Sequence, residues 1–267
     1  MRRVFLLGAA VAVALFDVMP LFLVLKQAFT PERESLAWPP AWLPGRVTLA
    51  NFRSAAAVVD LLPALGRSAG VAAFTVVVTL ALAVPAALAT RRSARADRAL
   101  DGVLVLVRVL PSIALAVPLA VLFVHAGLYN HPAGLGLVAA HALVTLPLGY
   151  LVARGGIRAV PRDVEDAARL DGASAARVLR HVTLPLARPA LGAAALLVFL
   201  VSWDEFAYAL LLQVTNRPLP PLLYYFTAFG HPGLASAVAA LMLVPALVIV
   251  LVLEPSLRGG VLSGSAR

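Results

Sequence analysis

Opposite charges crowd into residues 161–189 of an otherwise apolar chain. The segment PRDVEDAARLDGASAARVLRHVTLPLARP carries four acids (Asp163, Glu165, Asp166, Asp171) and five arginines (Arg162, Arg169, Arg177, Arg180, Arg188). Such a set can pair, cap helix ends and grip a partner. The rest of the chain holds little else with reactive potential. There is no cysteine, so disulfides and Cys-based metal sites or catalysis are excluded. No G-x-x-x-x-G-K-[ST] phosphate loop occurs. No nucleophile–base set or metal-ligand cluster stands out. His125 and His131 lie six apart without acidic company and read as loop residues. A few polar groups sit inside apolar runs: Asp17, Arg108, and the sequence Trp203-Asp204-Glu205-Phe206 with Tyr208 just beyond. Charges in such places are costly and mark either a solute path or a helix–helix contact.

The charged segment reads as two short helices with a joint. Pro161 suits a first helical turn, where its missing N–H is not needed. Asp163, with Asp166 three residues on, can cap a slightly later start. Glu165 precedes Arg169 by four residues, the favourable order for a helix pair. Ala167, Ala168 and Asp171 share one side of that helix. Gly172 can take the left-handed conformation that ends it. Ser174 can cap a second helix, from about Ala175 to His181. Pro185 and Pro189 are expected to stop or bend it before the next apolar run.

Here the chain resembles a known family. Asp166-Ala167-Ala168, three residues, Gly172, nine residues, then Val182-Thr183-Leu184-Pro185 is similar to the EAA loop of ABC importer permeases. Asp166 for Glu and Val182 for Ile are conservative departures. The resemblance implies that this is a coupling-helix pair seated in a cytoplasmic ATPase, with Glu165, Asp166, Ala167, Ala168, Asp171, Gly172 and Ala173 as the coupling residues. Asp171-Gly172-Ala173, Trp203 with Glu205-Phe206, Thr48-Leu49-Ala50-Asn51-Phe52 and the Gly-rich ending resemble the carbohydrate group, most closely the maltose-type second permease. Asp204 departs from the usual Asn.

Composition agrees with a membrane protein. The chain is 61% hydrophobic and 13% charged, with a mean hydropathy of +0.93, too apolar for a soluble domain of this length. The formal charge of +9 is carried by arginines clustered in loops between apolar runs, with no basic surface of interleaved aromatics, so nucleic acid is not the expected partner. Six spans are predicted, at about Val4–Leu25, Gly66–Thr90, Ala99–Val124, Pro132–Ala153, Ala190–Leu212 and Leu234–Leu253. The first is too long for a signal-peptide core and is read as retained. Pro111 and Pro118 predict a kinked or broken third span. Residues 26–65, with Trp38, Pro39, Pro40, Trp42 and Pro44, form a stiff amphipathic segment suited to the membrane surface.

Arginine placement orients these spans. With both ends cytoplasmic, fifteen of the 22 Lys+Arg fall inside, six fall outside, and Arg108 lies in a span. That bias follows the positive-inside rule and puts the charged segment where ATP is. The expected fold is an all-α polytopic membrane protein, with six transmembrane helices and a cytoplasmic coupling-helix pair. Its expected parts are 1–65 (first helix and outer loop), 66–254 (core permease domain) and 255–267 (cytoplasmic tail). The resemblance implies an importer subunit in a prokaryotic inner membrane. It implies a second homologous permease, two ATPase copies that bind the ATP, and an extracytoplasmic solute-binding protein, besides membrane lipid. No cofactor or catalytic site of its own is expected. Arg108, Trp203, Asp204, Glu205 and Tyr208 are candidates for the translocation path, or else for helix pairing. Alternative readings are a polyamine or other small polar solute, an ion-coupled carrier relaying charge through Asp17, Arg108 and Glu205, and an assembly subunit that lines no path.

Overall fold

The computed structural model describes residues 2–91 and 93–263, with residues 2–4 and 249–263 described as backbone only. The end of the expected tail, 264–267, and Arg92 therefore lie outside the described residues. Described secondary structure is helical throughout: α1 Arg2–Ala28, α2 Glu32–Ser35, α3 Ala50–Val58, α4 Leu61–Thr90, α5 Ala94–Val109, α6 Ser112–His125, α7 Leu135–Ala159, α8 Arg162–Leu170, α9 Ala175–Val178, α10 Leu184–Trp203, α11 Ala207–Leu212, α12 Leu219–Ala228 and α13 Pro232–Ser263. A π-turn at Leu179–Thr183 joins α9 to α10.

Four of these helical stretches are long and apolar enough to cross a bilayer: Phe5–Ala28, Leu61–Thr90, Leu135–Ala159 and Ala175–Trp203. The pair α5 and α6 is long and apolar enough for a fifth span when the two helices are taken together, and it is bent by 99° at its break. The apolar part of α13 supplies a sixth helix. The bend has a local cause. Pro111 has no N–H to donate, and it pushes Leu110 out of the helical region, to φ −74°, ψ 128°.

The chain divides into two compact units, Met1–Leu65 with Leu219–Arg267, and Gly66–Pro218. The expected parts at 65 and 254 follow role along the chain. Packing instead groups everything from Leu219 onward with the first helix, because α13 lies against α1, α2, α3 and α12. In this unit the buried Asn51 amide donates to the carbonyls of Gln27 (3.3 Å), Ala28 (2.9 Å) and Thr30 (2.7 Å). It thereby satisfies the carbonyls that the end of α1 leaves open. A Cβ on Gly233 would come within 2.9 Å of the same side chain, so α13 approaches closely there.

The second unit is built on α7 against α10. A Cβ on Gly156 would sit 2.2 Å from the Ala190 Cβ, and one on Gly149 would sit 2.8 Å from Thr79. Small residues let apolar helices approach where water gives no drive to associate. A Thr79–Thr145 hydroxyl bond of 2.8 Å ties α4 to α7. α7 runs beyond the expected span end at Ala153, so Arg154 and Arg158 are helical and do not lead freely into the charged segment. Arg154 pairs with Asp97 (2.8 Å) and Asp101 (2.7 Å), and Arg158 with Asp97 (2.7 Å). Tyr150 donates to Asp97 and shares a hydroxyl bond with Thr90. Together these groups clamp α4, α5 and α7.

Candidate coupling site

The charged segment folds as a bent arm. α8 begins after Pro161, with Asp163 and Glu165 in its first turn, where acids oppose the positive helix end. No side chain caps it, so the alternative of a later start capped by Asp163 is not taken. Gly172 takes φ +84°. Its N–H donates to the Arg169 carbonyl and that of Ala173 to the Ala168 carbonyl, closing the helix end. Ser174 accepts from the Arg177 N–H and opens α9. The prolines do not stop the second helix. The Leu184 N–H reaches back five residues to the Leu179 carbonyl. This wider turn lets Pro185 enter the first turn of α10 without ending the helix. The arm and the span are thus one continuous element, Ala175–Trp203.

Glu165 is the buried acid of the arm, alongside the apolar Val178 of α9. It does not pair with Arg169, which takes Asp166. Its Oε1 accepts from Arg91 Nη1 (2.7 Å) and from the Thr183 hydroxyl (2.6 Å). Arg91 also donates to the Val160 carbonyl (2.9 Å). One carboxylate therefore joins the end of α4, the start of α8 and the π-turn. Burial pushes its pKa up, but the Thr183 hydroxyl and the adjacent Arg91 charge outweigh that and hold it below the ordinary carboxylate value. A cavity of about 720 Å³ opens beside it, with Arg91, Arg162, Asp166, Arg169, Ala175 and Leu179 in its wall.

The other candidate residues of the arm are exposed or half-buried. Asp166, Ala167, Asp171 and Gly172 are exposed, and Ala168 and Ala173 are half-buried. Leu170 is 89% exposed. The structure thus gathers the seven candidates on one short arm, with Glu165 turned inward. Sequence reasoning missed Arg91, which looked like one more topological charge, and Thr183, which fell on a variable position of the motif. Neither spacing nor type betrays a pairing across 74 residues.

The span candidates separate. α10 ends at Trp203, and the expected fifth span is broken at 204–206 before α11. Glu205 accepts the Tyr208 N–H (2.9 Å), serving as a cap for α11. Its Oε2 lies 3.5 Å from His141 Nε2, and His141 Nδ1 lies 2.8 Å from the Ser202 hydroxyl. His141 was not singled out by the sequence, since a lone histidine in an apolar run carries no pattern. Trp203 and Tyr208 are buried, while Asp204 is exposed at the break. Arg108 is exposed on α5 and has no ion pair among the described residues.

Residues 66–258 match the family described as the binding-protein-dependent transport system inner membrane component. The chain belongs to this family. This permease is 32% identical over 232 residues to the trehalose transport system permease protein of Mycobacterium tuberculosis, covering 84% of each chain. It is 26% identical over 263 residues to the diacetylchitobiose uptake system permease protein of Streptomyces coelicolor, covering 96% of this chain and 95% of that one. Its fold is similar to a chain of a bacterial ABC transporter involved in import of the acidic polysaccharide alginate, with TM-score 0.74 at 18% identity, covering 95% and 96%.

Proposed function

We propose that this permease lines half of the path of an ATP-driven importer for a sugar or sugar-like solute. The arm α8–α9 is the handle by which a cytoplasmic ATPase moves the spans. The observation that carries the reading is the buried Glu165, tied to Arg91 at the end of α4 and to Thr183 at the root of α10. A push on the exposed arm is passed to two membrane helices at once, and packed helices shift as rigid bodies. The trehalose and diacetylchitobiose relatives support a carbohydrate solute. The absence of a phosphate loop supports an ATP site on a separate chain. The arginine bias supports an arm and chain ends on the cytoplasmic side, opposite a solute-binding protein. A homologous second permease would complete the path, and Asp204, exposed at the helix break, is the wall residue we assign to it.

Replacing Gly172 tests this reading. Any side chain at φ +84° is strained by roughly 1–2 kcal/mol, and it adds bulk to the exposed joint. Gly172→Asp should reach the membrane in normal amount, lose the co-purifying ATPase and abolish uptake. Normal uptake by the variant would count against the handle. Uptake in cells lacking the ATPase would replace the whole reading with an ion-coupled carrier.

A further inference from the structure

A second cavity, of about 490 Å³, lies in the first unit at the end of α1 remote from its N-terminus. Its wall includes Leu23, Val24, Pro40 and Trp42 together with the polar Lys26 and Gln27. Its volume is in the range of cavities that hold a drug-sized molecule. Lys26 is the only lysine of the chain. It is half-buried, and no acid pairs with it among the described residues. A half-buried lysine beside an apolar hollow matches a ligand with an anion at one end and hydrocarbon at the other. The neighbouring loop fits a membrane surface, with Trp38 and Trp42 exposed at 90% and 69%, as tryptophans at headgroup level are.

We propose that this cavity is a binding site for an anionic phospholipid, its acyl chain against Leu23, Val24 and Trp42 and its phosphate at Lys26. One basic side chain near an anionic surface contributes roughly 1 kcal/mol, or about fivefold in occupancy. The site shares no residue with the arm, and would anchor the end of the first helix at the bilayer surface.

The test uses the assembled transporter in phosphatidylcholine vesicles containing a trace of photoreactive lipid. Phosphatidylglycerol and phosphatidylcholine bearing the same diazirine-tagged acyl chain are compared, and adducts are mapped by peptide mass spectrometry. Expected are adducts in peptides spanning 19–27 and 40–42, about five times more abundant with phosphatidylglycerol. Lys26→Gln should bring that ratio close to one, and Lys26→Arg should keep it. Equal labelling by the two lipids in the unaltered protein would overturn the proposal. So would an unchanged ratio in K26Q, or no adducts in these peptides because a partner subunit covers the cavity.

Discussion

Removing the Glu165 carboxylate should loosen the arm from the spans, and the cost can be worked out from its contacts. The Glu165 and Arg91 side chains are only 8% and 13% exposed. Glu165→Ala leaves the Arg91 guanidinium without its counter-charge and the Thr183 hydroxyl without its acceptor. Breaking a pair this enclosed costs about 3 kcal/mol, the lower end for buried ion pairs. For a unit of this size that lowers the thermal midpoint in detergent by roughly 6–12 °C. Glu165→Gln keeps an acceptor oxygen and loses the charge, so it should cost about 1–1.5 kcal/mol. Arg91→Leu with Glu165→Leu removes both charges together. It should cost about 2 kcal/mol, less than E165A alone, because no charge is stranded and only the Val160 carbonyl and the Thr183 hydroxyl lose a partner. Two assays read this: thermal unfolding of the purified transporter, and limited trypsin cleavage after Arg162, Arg169 and Arg177. E165A should be cut faster in the arm and should lose uptake even where it stays assembled. Unchanged melting and cleavage in E165A would refute the reasoning, as would costs of the single changes that simply add in the double. The pH dependence has a definite sign. The folded carboxyl titrates below its ordinary value of 4.5. Its contribution is therefore complete above that value and is lost as pH falls through the lower folded one. The advantage of the unaltered protein over E165Q should shrink only in acid.

Changes at three other positions test the packing. Gly156→Ala puts a methyl 2.2 Å from the Ala190 Cβ, and should cost about 1–3 kcal/mol, measured as a lowered thermal midpoint; Ala190→Gly in the same chain should restore it. Gly155→Ala meets nothing within 4 Å and should be neutral, or stabilising by up to about 1 kcal/mol; a large loss there would mean that α7 is packed differently. Asn51→Ala strips the donor from three carbonyls at the end of α1 and should cost about 2 kcal/mol by the same assay, with Asn51→Asp at least as harmful, because a carboxylate would face those carbonyls.

Much of the fold was legible because membrane spans and loop charges are local signals. The apolar runs marked the helices, Pro111 marked the break in the third span, and Gly172 and Ser174 marked the joint of the arm. Errors came where a local rule met a distant partner. The rule for pairs four apart assigned Glu165 to Arg169. The fold gives Glu165 to Arg91 and leaves Arg169 to Asp166. The breaker rule placed a stop or a bend at Pro185, and a π-turn carries the helix through it. The fifth span was read as unbroken although Glu205 was noticed, because no spacing shows that its carboxylate will cap a new helix at 207.

By itself, the order of residues determined a helical membrane protein and the place of its polar arm along the chain. Those properties depend on side-chain type and near neighbours alone. Tertiary structure alone decided what holds the arm to the spans, which acid is buried and where α7 and α10 touch. Such contacts depend on segments far apart in the chain being brought within ångströms, and the energy of a buried charge is set by what surrounds it.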